Sequence, residues 1–165
     1  MSLQKLTEHL ERELKPHDFQ RLDEAIAALN LSRRAEPRAI WKRKTWNTNR
    51  GVALLELEDG LDSLEVFVSA VRDPVGKAIG YFPFFYPLGL QLILAGDGVY
   101  QEQSGLSAVL SKIDNQTVVL QSIHVVDLKK MTSASARTWG QIITGRYQDA
   151  IERGIQGFLQ STAQA

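Results

Sequence analysis

Cysteine is absent from this 165-residue chain. That removes disulfide frameworks, cysteine zinc sites, iron–sulfur clusters and thiol nucleophiles together, and it fits a reducing, cytoplasmic setting. An excess of one charge is absent too. The 19 lysines and arginines balance the 19 aspartates and glutamates, so no global field draws the chain to nucleic acid or an acidic membrane. The longest apolar run, Tyr81 to Ala95, contains Pro83 and Pro87. It is shorter than the roughly 20 residues of a spanning helix, and its prolines would break one. Met1-Ser2-Leu3-Gln4-Lys5 lacks the basic start and apolar core of a signal peptide. The signatures G-x-G-x-x-G, G-x-x-x-x-G-K-[ST] and G-x-S-x-G are missing, and no cofactor is expected. With no internal repeat or linker, residues 1–165 read as one domain. A chain of this length buries roughly 70% of its unfolded surface and needs no metal or disulfide to fold.

What is present concentrates in one stretch. Tyr81, Phe82, Phe84, Phe85 and Tyr86 are five aromatics within six residues. Pro83 and Pro87 exclude a regular central strand there and point to a loop or edge. Core packing accounts for such a stretch. If the stretch is exposed, it is a preshaped apolar contact surface whose prolines reduce the ordering cost of binding.

Around it, hydrophobic spacing suggests the elements. Leu3, Leu6, Leu10 and Leu14 form a helical stripe broken by Pro16. Asp18 is placed to cap a second helix carrying Phe19, Leu22, Ile26 and Leu29. Arg38 to Trp46, Val52 to Leu57 and Leu64 to Val71 read as strands of an antiparallel meander, with Arg72-Asp73-Pro74 turning the chain afterwards. Leu88 to Ala95 reads as a further strand. Leu106 to Ile113 and Thr117 to Asp127 read as a hairpin through Asp114-Asn115-Gln116. A long helix from Trp139 to Leu159, capped by Ser133 or Ser135, ends the chain. On its apolar stripe lie Gly140, Gly154 and Gly157, which allow close packing, with the sheet as the expected neighbour. The fold class is α+β: a mainly antiparallel sheet of five or six strands, flanked by an N-terminal helical pair and the long C-terminal helix.

Two constellations bear on chemistry. Arg33, Arg34, Arg38, Lys42, Arg43, Lys44 and Arg50 fall within eighteen residues, interleaved with Trp41 and Trp46. Strand alternation splits Lys42 and Lys44 from Arg43, and the acidic run Glu56, Glu58, Asp59, Asp62 and Glu65 follows. Cross-strand compensation is the main reading of this patch. A nucleic-acid surface is a possible but not favoured one. The second constellation is Ile123-His124-Val125-Val126-Asp127-Leu128-Lys129-Lys130. A strand ending in acid, spacer and lysine resembles the PD-(D/E)xK nuclease-like pattern. The resemblance implies a divalent metal on Asp127 and a water-positioning role for Lys129. It also requires an earlier acid, Asp114 or Asp97. A straight strand from Thr117 onward would hold Asp114 roughly 40 Å from Asp127. His9, His17 and His124 read as ordinary polar residues.

The expected function is therefore a non-catalytic binding module. It would take a protein partner or a small apolar ligand through Tyr81, Phe82, Phe84, Phe85 and Tyr86, supported by Trp41 and Trp46. The nuclease-like enzyme built on Asp127, Lys129 and Asp114 is the alternative.

Overall fold

The computed structural model describes residues 2–29, 31, 35–44, 49–57, 63–80, 88–99, 103–112, 118–138 and 141–163. The side chains of Ala28, Lys44, Gln103, Lys112 and residues 141–146 fall outside that description. Helix α1 spans Ser2–Leu14, β1 Gln20–Arg21, α2 Asp23–Ala28, β2 Ala35–Lys44 and β3 Asn49–Leu57. Helix α3 spans Leu64–Ile79, β4 Leu88–Gly96, α4 Gln103–Lys112, β5 Val118–Asp127, β6 Thr132–Arg137 and α5 Gln141–Ala163. The α+β class holds. The six strands form one sheet in the order β1-β2-β3-β4-β5-β6. Its outer pairings are antiparallel, whereas β3–β4 and β4–β5 are parallel.

The parallel centre corrects the meander. Parallel neighbours need a crossover, usually a helix, and both segments expected as strands between them are helices. In α3 the buried positions are Leu64, Phe67, Val68, Val71, Val75 and Ile79, a helical spacing that outcompetes the two-residue alternation of Leu64, Val66, Val68 and Ala70. Ser63 Oγ caps its start by accepting from the Val66 N–H. Gly80, at φ 84°, ends it. Pro74 lies inside this helix and does not turn the chain. Its missing N–H frees the Ala70 carbonyl on the exposed side, where water can take it. In α4, Leu106, Val109 and Leu110 are buried together while Ala108 is exposed. That again is helical spacing, so the Leu106 to Ile113 hairpin strand is corrected.

Further corrections concern the ends of elements. Asp18 caps no helix; it takes φ 61° and donates its N–H to the Lys15 carbonyl, closing the 3-10 turn that holds Pro16. Phe19 and Leu22 flank the short edge strand β1 instead of lying on a helix. Ser133 and Ser135 lie in β6, which pairs with β5, and cap nothing.

Two cores sandwich the sheet. On one face, α2, α3 and α4 pack on Ile40, Leu55, Leu90, Leu92, Ile123 and Val125. On the other, α1 and α5 pack on Ala39, Trp41, Val52, Leu54, Ile93 and Val126. Gly154 and Gly157 of α5 meet α1 and not the sheet, while Gly140 lies outside the described residues. A Cβ at Gly154 would lie 3.2 Å from Leu10 Cα, and one at Gly157 3.0 Å from His9 Nδ1. No helix among the described residues is long and apolar enough to cross a membrane.

Candidate functional site

Asp127 closes a turn. Strand β5 ends on it, and its Oδ1 accepts the backbone N–H groups of Lys130 (2.9 Å), Lys129 (3.0 Å) and Gly98 (3.4 Å). Donation from Lys130 is the main reason its pKa lies below the usual carboxylate value, against the opposing effect of burial. The buried Oδ2 has no partner, and a single free oxygen is a poor start toward the six or more ligands of a hard divalent ion. Lys129 lies beyond the strand and is exposed, so the same-face alignment with Asp127 does not arise. Asp97 is exposed in the turn after β4, and Asp114 is outside the described residues. Among the described residues, no three His, Asp or Glu side chains are placed to hold a metal ion. Among the described residues, the donors do not fit the metal that the nuclease-like pattern implies.

The expected aromatic surface divides. Tyr81, Phe82, Phe84, Phe85, Tyr86 and Trp46 lie outside the described residues. Trp41 is 1% exposed within the α1/α5 core. Its position in β2 turns it inward, so it offers no surface to a ligand. Leu88, the residue after Pro87, pairs with Asn49 on one side and Val118 on the other. Leu88, which follows the aromatic stretch in the chain, thus starts β4 at the end of the sheet where β3 and β5 also begin.

That end carries the two arginines of the run that have no carboxylate within hydrogen-bond distance among the described residues. Arg38 and Lys42 are spent elsewhere. Arg38 is held by Glu36 and Glu56, and Lys42 Nζ donates to the Ile79 carbonyl (2.8 Å) at the C-terminus of α3. Arg33, Arg34 and the Lys44 side chain are outside the described residues. Arg43 and Arg50, by contrast, are direct cross-strand partners, an arrangement that opposes like charges. Arg43 lies 5.0 Å over the Tyr147 ring, and among the described residues only the exposed Asp18, at 3.9 Å, is its counter-ion. Arg50 has no carboxylate within ion-pair distance among the described residues. Burial, then the charge of Arg43, lowers its pKa. Both lie on the α5 side of the sheet. Gly89 makes room for them: a Cβ there would sit 2.8 Å from an Arg50 guanidinium nitrogen and 2.6 Å from Gln121 Oε1.

A polar seam continues from this point beneath α5. The β4–β5 register shifts between Leu90 and Gln91, a bulge that turns Gln121 and Ser122 together toward α5. The Gln121 carbonyl accepts from Thr138 N, Thr138 Oγ1 and Gln148 Nε2. Ser122 Oγ donates to Gln91 Oε1 across a long 3.5 Å and lies 3.0 Å from His124 Nε2. Four buried polar atoms along the seam, Gln91 Nε2, Gln121 Oε1, His124 Nδ1 and Gln148 Oε1, have no hydrogen-bond partner. Such atoms are costly to bury.

Both features were within reach of the sequence. The opposition of Arg43 and Arg50 follows once the two strands flanking residues 45–48 are paired as a hairpin. The bulge is announced by apolar positions 118, 120, 123 and 125, whose alternation skips a residue at Gln121-Ser122. No family model, curated protein or solved structure matches the chain.

Proposed function

We propose that the protein is a non-catalytic binding module that takes an acidic protein segment at the end of the sheet where β3, β4 and β5 begin. The observation that carries this reading is the Arg43–Arg50 pair: two arginines held directly opposite, one of them partly buried and, among the described residues, without a carboxylate. A like-charge pair destabilises the fold on its own, and a carboxylate-bearing partner relieves that cost through charge-assisted, bidentate hydrogen bonds. In this reading the aromatic residues Tyr81 to Tyr86, which precede β4 in the chain, supply apolar contact area, while the arginines supply register and charge complementarity. This unspent charge favours an acidic segment over a small apolar ligand. A cytoplasmic setting accords with the cysteine-free sequence.

The test is titration calorimetry with a short glutamate-rich peptide containing one aromatic residue, at 50 and 300 mM salt. Binding is expected at low salt, weakened at high salt by screening. It should fall at least tenfold in Arg50→Ala and in Phe84→Ser while both variants remain folded by circular dichroism. Absence of binding at low salt, or binding indifferent to Arg50→Ala, sinks the proposal. Unfolding of Phe84→Ser would assign that ring to the core and remove the aromatic stretch from the site.

A further inference from the structure

A second feature lies about two turns further along α5 from the arginines. Between β5, β6 and α5 is a cavity of about 320 Å³ lined by His124, Ser133, Ser135, Glu152, Ile155 and Gln156. Its volume is that of roughly ten waters in the liquid. His124 forms its inner wall and is 1% exposed. Glu152 is about a third exposed and Gln156 is exposed, which gives the cavity a mouth.

Ser122 Oγ lies between Gln91 Oε1 (3.5 Å) and His124 Nε2 (3.0 Å). With its proton given to Gln91 Oε1, it meets Nε2 as an acceptor and the proton of the neutral ring sits on Nε2; the binding site proposed below rests on this tautomer. Nδ1, which has no partner, is then a buried lone pair. Burial keeps the ring neutral, with its pKa at about 4. The opposite wall is also rich in acceptors. Glu152 takes Ser135 Oγ (3.0 Å) and Arg137 Nε (3.0 Å), and Ser133 Oγ accepts from Gln156 Nε2 (3.3 Å). Arg137 is shared with Asp149 at 3.0 Å, so two carboxylates face one guanidinium and the surroundings retain one negative charge. Ile155 and Ala134 supply the apolar part of the lining.

We propose that this cavity is a binding site for a small organic ammonium ion, whose N–H groups reach His124 Nδ1 and the Glu152 carboxylate while its short alkyl portion lies on Ile155. The inference is independent of the acidic-segment reading. It uses different residues and a ligand of opposite charge.

The test follows the His124 ring resonances by NMR while n-butylammonium is titrated into the whole protein, with n-butanol as a neutral comparator of matching length. Saturable shifts of the His124 ring with butylammonium, and none with butanol, are expected. Affinity, measured by titration calorimetry because two of the variants lack the reporter ring, should drop at least tenfold in Glu152→Gln and in His124→Leu, and less in His124→Asn, whose amide keeps a polar atom near the Nδ1 position. Arg50→Ala should leave this binding intact. Three results would overturn the proposal: equal response to butanol, no ring response up to 100-fold excess of butylammonium, or affinity unchanged in both Glu152→Gln and His124→Leu. If both variants prove unfolded, the titration of Ser135→Ala decides. Loss of one Glu152 donor should change butylammonium affinity if the carboxylate is a ligand, and unchanged affinity counts against the site.

Discussion

At the residue scale, Asp127 and His124 show how one chain uses buried polar groups in opposite ways. Asp127 is drawn to its charged form by three backbone N–H donors, as in a capping interaction, and it locks the β5–β6 turn to the end of β4. Asp127→Ala should cost about 1–2 kcal/mol, the scale of a lost cap. Mn²⁺ and Mg²⁺ should leave the thermal unfolding of wild type and variant unmoved. A metal-dependent rise in wild type that vanishes in Asp127→Ala would reinstate the nuclease-like alternative. His124 is held neutral. Its folded pKa of about 4 lies below the ordinary 6.5, so between those values the unfolded chain binds a proton that the native chain does not. Stability should therefore fall as pH drops from about 6.5 to about 4, by on the order of 3 kcal/mol. The Asp127 contribution, from a depressed pKa, is present above the unfolded carboxylate value and is lost only below it. Urea denaturation at pH 7.5, 6, 5 and 4.5 checks the slope, which should flatten in His124→Leu if that variant folds.

At the element scale, α1 and α5 pack through glycine. A Cβ at Gly154 meets Leu10 Cδ2 at 3.1 Å and its Cα at 3.2 Å, and backbone cannot give way as a side-chain end can. Gly154→Val should destabilise by about 1–3 kcal/mol through overpacking, read as a lower urea midpoint with unchanged slope. Gly89→Ala should behave differently, because its Cβ meets only side-chain ends, Gln121 and Arg50. The effect should appear in acidic-peptide affinity and hardly in stability. The stripe of α5 was legible from its three- and four-residue spacing. Its neighbour was not, because a small face can pack on helix or sheet and the spacing is the same.

At the scale of the whole molecule, one sheet carries two cores, and its central strands β3 to β5 contribute to both. Damage to one side should therefore be felt by the other. Phe158→Ala, in the α1/α5 core, should lower stability by about 3–5 kcal/mol. Tryptophan fluorescence and far-ultraviolet circular dichroism should still report one coincident transition. Two separated transitions would mean that the layers on either side of the sheet unfold independently.

The sequence by itself determined the class, the terminal helices, strands β2 to β5 to within a few residues, and the concentration of basic residues around residues 38–50. These follow from local periodicity and turn chemistry, which a short window contains. Only the tertiary structure decided that Leu64–Ile79 and Gln103–Lys112 are helices. Short apolar runs satisfy both periods, and the parallel pairing of β3, β4 and β5 demands crossovers. It alone buried Trp41 against α1 and α5 and left His124 Nδ1 without a partner beside a cavity. Each of these depends on register and on what packs above the sheet, and those are settled by residues far apart in the chain.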